Sequence, residues 1–324
     1  MLSNDFLNND WHVVARSPDL QAGKILKARL LGEDLVLWRN GDQALAWQDR
    51  CPHRGASLAG GWIKEDNLVC PYHGFAFNDS GQCVHVPSHP DQPPSPRSKA
   101  CVRTFHALER YEMIWVCLGT PQQDVPPLPE WDHPSYYKFF DGPSLCRASA
   151  PRALENFFDV NHVPFVHKGT VGNPNYASID DYKVVVKSDG IHISNVNITE
   201  NNPTITGEVQ SYNIGFHISR PLTACLRRAP NQEPMILFYT VTPVDQEECL
   251  IWRWTFGNRA IPEQVFHDFT TLLMNEDFVV VETQQPLRLP LDLQAEFHVK
   301  SDSCTIAYRK WLKQLGVTFG TVQN

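Results

Sequence analysis

Hydrophobic and polar residues alternate in short runs over the first third of the chain, and these runs predict a small all-β domain. The strand candidates are rich in Val, Leu and Trp, and Gly, Asp and Asn turn signals separate them at intervals of about 8–12 residues. They read WHVVARS, KILKARLL, DLVLWRN and ALAWQD, followed later by YEMIWVCLG. FAFNDSGQCVHV predicts a hairpin that turns at Asp79, Ser80 and Gly81.

The remainder of the chain mixes strands with separate helices, which favours an α+β domain. PRALENFFDVNHVPFVHKG predicts a helix up to about Asn161, and helical periodicity returns over 262–285 and in TIAYRKWLKQLG. The proline-rich segment 121–134 predicts a linker, so we place the domains at 1–135 and 136–324. Between the helices, strands are predicted over DYKVVVK, GIHISNVNI, 206–229, PMILFYTVTP and ECLIWRWTFG.

Composition and charge indicate an ordinary water-soluble protein. The chain has 324 residues, 42% of them hydrophobic and 20% charged, and its formal net charge of −8 argues against nucleic acid or an anionic membrane surface as partner. No apolar run approaches the roughly 20 residues of a membrane span, and MLSNDFLNND is too polar for a secretory signal. Nine scattered cysteines suit a reducing compartment. We therefore expect a cytoplasmic protein.

Two short motifs, CPHRG at 51–55 and CPYHG at 70–74, offer a first set of metal ligands. Structural zinc sites usually space two cysteines two to four positions apart, whereas each motif here pairs one cysteine with one histidine. A Rieske [2Fe–2S] cluster needs this composition, with two thiolates on one iron and two imidazoles on the other. A zinc ion and two unrelated loops remain as alternatives. The candidate ligands are Cys51, His53, Cys70 and His73.

A second set of candidate ligands lies in the predicted helix that ends near Asn161. Residues 156, 159 and 162 are three apart, so Asp159 is expected beside His162 on one helix face. Pro164 should break the helix and let His167 converge with His162. Two histidines with one carboxylate and open positions form the facial triad of a non-haem Fe(II) oxygenase. Each histidine could instead be a satisfied structural residue.

The carboxylate of this triad has two candidates. Asp159 is close, although a residue that hydrogen-bonds a histidine ligand is equally expected there. In the helix 262–285, Asp277 falls on the predicted apolar stripe, where a carboxylate is costly to bury without a partner. A solvated Asp277 is the alternative, if the stripe is misplaced. The other members of the stripe are Phe266, Phe269, Leu273 and Val280.

Both motif sets resemble those of one enzyme family. CPHRG and CPYHG, with sixteen residues between His53 and Cys70, are similar to the Rieske motif of oxygenases, and Ala56 and Tyr72 replace the extra cysteines of the quinol-oxidising branch. ENFFDVNHVPFVH resembles the mononuclear-iron motif of Rieske oxygenase α subunits, and EDFVVVETQQP their C-terminal ligand helix. Over the whole chain, the resemblance is closest to the Rieske hydroxylases of saxitoxin biosynthesis and to the dicamba and vanillate demethylases.

The resemblance implies an all-β Rieske domain followed by a helix-grip catalytic domain, an antiparallel sheet with helices, assembled as a head-to-tail homotrimer. The cluster would be held by the four cysteine and histidine ligands, and the mononuclear Fe(II) by His162, His167 and Asp277. Asp159 would bridge from His162 to His73 of the neighbouring chain. Asn156 would lie close to the iron.

The implied function is that of a Rieske non-haem iron monooxygenase or dioxygenase. Such a component uses O2 and externally supplied electrons to hydroxylate, or oxidatively demethylate, a small polycyclic or nitrogen-containing substrate. The chain has no GxGxxG fingerprint, so NAD(P)H would act only through a separate flavin and iron–sulfur reductase. A Rieske electron-transfer protein with a non-catalytic binding domain is the alternative. The pocket is expected between 206–256 and the Asp277 helix, with Phe216, Tyr239, Trp252 and Leu273 as candidate lining residues.

Overall fold

The structure is a computed structural model that describes residues 6–92, 100–201 and 209–323. Two compact units divide the chain, Met1–Val125 and Pro126–Asn324. Part of the strand segment predicted over 206–229 lies outside the described residues, and its described part begins at Val209. No helix in the three described ranges is long and apolar enough to cross a membrane.

The first unit is built of antiparallel strands, as the alternating pattern predicts. A six-stranded sheet has the order β1-β10-β9-β4-β3-β2, and a four-stranded sheet has the order β5-β6-β7-β8. The predicted turn at Gly81 joins β7 to β8, and Gly81 has a φ of +79°, which favours glycine. The strands are β1 His12–Arg16, β2 Leu26–Leu30, β3 Glu33–Asn40, β4 Gln43–Gln48, β5 Trp62–Lys64, β6 Asn67–Val69, β7 Ala76–Phe77, β8 Cys83–His85, β9 Thr104–Arg110 and β10 Met113–Cys117.

One hydrophobic cluster of the first unit supports both cysteine motifs. Trp38 and Trp47 pack edge to face with ring centroids 4.9 Å apart. Their cluster also includes Leu58, Leu68 and Phe77, and it reaches Cys51 and Cys70 themselves. The two loops that carry the motifs, between β4 and β5 and between β6 and β7, therefore start from a packed core.

The second unit is α+β, which confirms the predicted fold class. Its seven-stranded antiparallel sheet has the order β11-β17-β16-β15-β14-β13-β12, and β18 pairs with β19 in parallel. The strands are β11 Tyr137–Cys146, β12 Lys183–Lys187, β13 Gly190–Asn201, β14 Val209–Arg220, β15 Thr223–Arg228, β16 Met235–Asp245, β17 Glu248–Gly257, β18 Leu289–Pro290 and β19 Thr321–Val322. The helices are α1 Ala150–Phe158, α2 Val163–Val166, α3 Glu263–Val281 and α4 Ser303–Leu315.

Strand register determines which side chains of the seven-stranded sheet face the helices. Tyr239 pairs with Arg253 and faces α1, because Phe157 of α1 stacks on its ring at 4.3 Å. On the same face, Phe139 of β11 stacks on Phe266 of α3 at 4.7 Å. Helices α1 and α3 therefore lie over one face of the sheet.

Helix α1 ends earlier than its sequence pattern predicts. Its last residue is Phe158, whereas the prediction extended it to about Asn161. Asp159 has an extended conformation, and its Oδ1 accepts a hydrogen bond of 2.8 Å from the Asn161 backbone N–H. A side chain that bonds its own backbone two residues on competes with the helix. Pro164 lies in the first turn of α2, so it begins a helix and does not break one.

The buried stripe of α3 differs from the predicted one. Its buried residues are Phe266, Thr270, Met274 and Val281, while Val280 is 42% exposed. Thr270 Oγ1 donates a hydrogen bond of 3.0 Å to the Phe266 carbonyl, and this bond allows a polar residue to occupy an apolar face. Asp277 lies three residues after Met274, on this buried stripe.

A buried ionic network joins α1 to α4. Arg309 donates two hydrogen bonds to Glu155, at 2.8 and 2.6 Å, and it also lies 2.6 Å from Glu296. Arg152 donates to the second oxygen of Glu296 at 2.6 Å. The Arg309 and Glu155 side chains are only 4% and 10% exposed. The network fixes the helix that precedes Asp159.

We expect Arg309→Met to lower the free energy of unfolding of the second unit by about 3–5 kcal/mol, because it leaves the buried Glu155 charge unpaired. Urea unfolding followed in the helical circular-dichroism band measures this unit, since every α-helix of the described ranges lies in it. Lys313→Met, at an exposed position of the same helix, should stay close to the wild type. An Arg309→Met protein as stable as Lys313→Met would contradict the expectation.

Candidate functional site

The two cysteine motifs adopt the same backbone conformation. In each, the cysteine N–H donates to the carbonyl five residues on, and the glycine N–H donates back to the cysteine carbonyl. These distances are 2.8 and 2.8 Å in the loop from Cys51, and 2.9 and 3.0 Å in the loop from Cys70. Gly55 and Gly74 have φ of +74° and +69°, a conformation that glycine adopts without strain. The repeated turn places Cys51 and Cys70 at equivalent positions, while His53 and His73 occupy the second and third positions after their cysteines.

Asp49, which the sequence reasoning missed, anchors the first of these loops. Its carboxylate accepts the backbone N–H groups of Leu58 and Ala59 at 2.6 and 2.8 Å, and the Ser57 hydroxyl at 2.6 Å. Asp49 is 8% exposed, so these three hydrogen bonds satisfy a buried carboxylate. Its position two residues before Cys51 is the sequence feature from which this role could have been predicted.

The four motif side chains separate into a thiol pair and an imidazole pair. Both cysteines are buried, and burial, with Cys70 as a further contribution, raises the pKa of the Cys51 thiol to about 11. The rings of His53 and His73 lie 4.8 Å apart, and Phe75 stacks on His53 at 4.6 Å. A cation bound to the thiols would have to displace their protons.

This arrangement fits a Rieske cluster better than one zinc ion. A [2Fe–2S] cluster takes two thiolates on one iron and two imidazoles on the other, so the donors need not converge on one point. Within the described residues, two groups of three ligand atoms lie within 4.8 Å of one another, and neither contains a cysteine. Tetrahedral zinc would require all four donors around one ion.

The first of these groups consists of His162, His167 and Asp277, which the sequence predicts to form one metal-binding group. Asp277 Oδ1 lies 3.5 Å from His162 Nε2 and 3.4 Å from His167 Nε2. The two rings are 5.3 Å apart and inclined by 70°, so their lone pairs approach from different directions. One donor comes from the segment before α2, one from its end and one from α3.

Asp277 supplies the observation that best indicates a metal. Within the described part of the chain, its Oδ1 is buried and has no hydrogen-bond partner. Burial acts to raise the pKa of Asp277, but His167 and His162 outweigh it and lower the pKa overall. A buried, ionised and unsatisfied oxygen is costly unless a cation compensates it. The donor set suits Fe(II) with open positions.

Glu276 orients one of these imidazoles and was not identified from the sequence as a functional residue. His167 Nδ1 lies 2.8 Å from Glu276 Oε2, which also accepts from Thr170 Oγ1 at 2.9 Å. A carboxylate only accepts hydrogen bonds, so Nδ1 carries a proton, and in the neutral imidazole this leaves the lone pair on Nε2, the nitrogen nearer to Asp277. The position of Glu276 directly before Asp277 is the sequence feature from which this role could have been predicted.

Asp159 and Asn156 both lie near this group. Asp159 Oδ2 is 3.8 Å from His162 Nδ1, on the side of the ring away from Asp277, and its side chain is 30% exposed. Burial raises the pKa of Asp159, although the charge of His162 opposes this. The Asn156 side chain faces Asp277 and helps to lower the pKa of its carboxyl. Asp159 and Asn156 therefore each lie next to one member of this group, Asp159 next to His162 and Asn156 next to Asp277.

Two of the four candidate pocket residues, Phe216 and Tyr239, contact the same side chain of α1, that of Phe157. Phe157 stacks on Tyr239 with planes 8° apart and contacts Phe216 edge to face at 5.7 Å. Tyr239 is close enough to Asp277 for that charge to contribute to its raised pKa, of which burial is the larger cause. Phe157 itself was missed, although it stands inside the ENFFD motif. Leu273 is half-buried, one turn before Asp277.

The structure corrects the prediction that Trp252 lines the pocket. Trp252 pairs with Thr240, and its Nε1 donates to Thr242 Oγ1 at 2.8 Å, so its side chain lies on the sheet face opposite Tyr239. Strand side chains alternate in direction, and a one-residue difference in register decides the face. Trp252 therefore does not face Asp277.

Comparison with known protein families shows to which family the chain belongs. Residues 10–106 match the Rieske [2Fe-2S] domain, and residues 146–318, more than half of the chain, match the vanillate O-demethylase oxygenase C-terminal domain. The chain belongs to the Rieske non-haem iron oxygenases. It is an oxygenase of the class that hydroxylates or demethylates small organic molecules, as the sequence motifs predict.

Relatives of similar length share both domains. The chain is 29% identical to methylxanthine N1-demethylase NdmA of Pseudomonas putida, over 96% of this chain and 90% of that protein, and 28% identical to methylxanthine N3-demethylase NdmB, over 97% and 90%. The solved structure of NdmA superposes with a TM-score of 0.82 and covers 96% of this chain and 91% of that chain. Dicamba monooxygenase, at 23% identity over 96% and 98%, shares the fold with a TM-score of 0.80.

We expect Glu276→Gln to weaken binding of a metal at His167 by roughly 10- to 100-fold, because the hydrogen-bond partner of a ligating histidine tunes its orientation and basicity. Iron retained after dialysis against a chelator, with the reduced-cluster EPR signal as internal reference, measures the loss. Glu263→Gln, in the exposed first turn of the same helix, is the matched control. Equal iron retention in both variants would show that Glu276 has no such role.

Proposed function

We propose that this oxygenase removes an N-methyl group from a small, flat nitrogen heterocycle by hydroxylating the methyl carbon. The observation that carries the proposal is the buried, unpartnered Oδ1 of Asp277 between two imidazoles, since it supports a reactive metal beneath the sheet face that carries Phe216 and Tyr239. The full-length likeness to two methylxanthine N-demethylases supports the substrate class.

Two metal groups follow from the donor sets, and the residues that we propose as their ligands fall in separate units. Cys51 and Cys70 would hold one iron of the cluster, and His53 and His73 the other. A mononuclear Fe(II) would be held by the group that contains Asp277. When bound, the cluster supplies electrons one at a time, and the mononuclear iron binds and activates O2.

The reaction balances with two electrons from outside the chain. One O2, two electrons and two protons convert the N-methyl group to an N-hydroxymethyl group and release one water. The resulting carbinolamine then breaks its bond between nitrogen and the hydroxymethyl carbon, which leaves the N–H heterocycle and formaldehyde. We propose a separate flavin and iron–sulfur reductase that draws the electrons from NAD(P)H. The chain's own residues bind the substrate and hold the donors in place.

The aromatic side chains give a physical reason for a flat substrate. Phe157 and Tyr239 are stacked with nearly parallel planes and, with Phe216, form one aromatic cluster, against which we propose that the substrate packs. Aromatic pairs prefer offset-stacked or edge-to-face contacts, and a planar heterocycle can make either against such a surface. Binding sites lined by aromatic residues with few polar groups are typical for small organic ligands.

For electron delivery, we propose a homotrimer in which Asp159 accepts from His73 of the neighbouring chain. Asp159 keeps Oδ2 toward His162 Nδ1 and is anchored at Oδ1 by Asn161. Its 30% exposed side chain allows a second contact from outside the chain. Asn156, which faces Asp277, would position the carboxylate.

Metal content and product formation test the proposed reaction. We expect about three irons per chain, two in the cluster and one mononuclear. With a reductase, NADH and a panel of N-methylated heterocycles, formaldehyde should appear together with the demethylated product. Two irons per chain and no formaldehyde from any compound would contradict the proposal.

Asp277→Ala should lose the mononuclear iron and formaldehyde release while the reduced-cluster EPR signal persists, because the ligands that we propose for the cluster lie in the other unit. Asp268→Ala, at an exposed position of α3, is the matched control and should keep about three irons and full activity. Full activity in Asp277→Ala would refute the assignment of the centre.

Asp159→Ala should retain both metal groups but slow single-turnover product formation, because it removes the group that we propose to connect them. Asp181→Ala, which removes only an exposed pairing with Lys300, provides the comparison. Iron content and the elution volume on gel filtration should match the wild type in both variants. Wild-type single-turnover rates in Asp159→Ala would refute the bridging role.

A further inference from the structure

A second group of two histidines and one carboxylate lies at the edge of the seven-stranded sheet. His192 of β13 and His217 of β14 are directly paired in the ladder, and Asp189 precedes Gly190 in the turn that joins β12 to β13. The ligand atoms of the three residues all lie within 4.8 Å of one another. Strand register, and not proximity along the chain, brings His217 to the other two.

The three side chains already converge on one point. His192 Nε2 lies 3.0 Å from Asp189 Oδ1, and His217 Nε2 lies 3.8 Å from Asp189 Oδ2 and 3.0 Å from the Asp189 carbonyl. The imidazole rings stack 4.2 Å apart at 18°, and both Nε2 atoms contact oxygens of Asp189. Exposure to solvent is greatest at Asp189, whose side chain is 58% exposed.

This group is separate from the centre at Asp277. His217 follows Phe216 in β14, and adjacent strand residues point to opposite faces of a sheet. Phe216 contacts Phe157 on the helical face, so His217 faces the other side. The ladder continues from His217 through Cys225 and Phe238 to Trp254 on that face.

We propose that Asp189, His192 and His217 bind a divalent transition-metal ion, for which Zn²⁺ serves as the test ion and Cu²⁺ or Ni²⁺ as substitutes. Imidazole nitrogen and carboxylate oxygen are ligands that zinc takes at about 2.0–2.2 Å, and water can fill the fourth position at this exposed site. Imidazole also suits copper and nickel, whereas Mg²⁺ and Ca²⁺ prefer oxygen ligands throughout.

The distances are close to those around a bound ion, and the two imidazoles must turn out of their parallel stack to direct both Nε2 atoms at it. Tetrahedral bonds of about 2.1 Å place neighbouring ligand atoms about 3.4 Å apart. The present separations of 3.0 and 3.8 Å between imidazole nitrogens and carboxylate oxygens bracket that value. Because the ladder pairs His192 with His217 directly, neither strand has to shift.

Hydrogen bonding and local charge are compatible with the ion. A carboxylate and a carbonyl only accept hydrogen bonds, so both Nε2 atoms direct a proton at Asp189 in this structure. An ion would take the place of these two protons, with Nδ1 of each imidazole becoming the protonated nitrogen. The nearby cation Arg227 is neutralised by Glu130, which accepts two hydrogen bonds from it at 2.6 and 3.0 Å.

An ion here would tie the turn after β12 to β13 and β14. Strand β12 is the outermost strand of its sheet, where ladder hydrogen bonds are available on one side alone. Binding to the folded state stabilises it by mass action. Zinc should therefore raise the thermal midpoint of the second unit, read in the helical circular-dichroism band, in the wild type and not in variants that lack the ligands.

The test uses the full chain with its cluster and mononuclear iron loaded, equilibrated with Zn²⁺ in a buffer free of chelators. After gel filtration, zinc and iron are measured on the same sample. We expect about one zinc per chain with the iron content unchanged. The double variant His192→Gln/His217→Asn should bind zinc at least tenfold more weakly, while His106→Gln, at an exposed histidine of the other unit, should bind like the wild type.

Three results would overturn the proposal. They are zinc uptake that persists in the double variant, zinc uptake matched by loss of iron, and no uptake by the wild type. A second measurement addresses variants that fold poorly: Cu²⁺ added to the oxidised wild-type protein should give an EPR signal with splitting from two nitrogens. That splitting should be reduced to one nitrogen in His192→Gln, and an unchanged splitting would contradict the assignment.

Discussion

Burial of the Asp277 carboxylate is the constraint around which the second unit is arranged. A buried ionised oxygen without a hydrogen-bond partner is unfavourable, so the fold must bring compensating groups to it. His162 and His167 come within 3.5 Å of it from a segment more than one hundred residues earlier, so a cation held by all three side chains would supply that compensation, and Glu276 accepts a hydrogen bond from Nδ1 of the second. Their convergence requires α1 to end before the histidines and α3 to lie over the same sheet face.

The interactions that hold these helices are remote from the donors. Arg309 joins α4 to Glu155 of α1 through two short hydrogen bonds, and Phe139 of the sheet stacks on Phe266 of α3. Since a donor displaced by about 1 Å compromises a metal site, packing this far away contributes to its geometry. The chemistry of Asp277 therefore depends on residues that would otherwise be regarded as structural.

The sequence predicted that His162, His167 and Asp277 belong to one group, and the structure brings their ligand atoms within 4.8 Å of one another. The sequence predicted less well whatever depends on register or on side-chain competition. The end of α1 was misplaced because Asp159 bonds its own backbone, and the face of Trp252 was misjudged because alternation reverses with one residue. Glu276 and Phe157 stood inside the motifs, but their contacts come from tertiary packing.

The described part of the chain carries two sets of two histidines and one carboxylate, and their environments differ. At Asp277 the carboxylate is largely buried, one of its oxygens is unpartnered, and a second carboxylate orients a ligand. At Asp189 the carboxylate is exposed and already hydrogen-bonded to His192. Desolvation strengthens the interaction of an ion with the first set, while water competes at the second. Composition of the donors alone thus does not determine how tightly a metal is held; burial and the hydrogen bonds already made decide it.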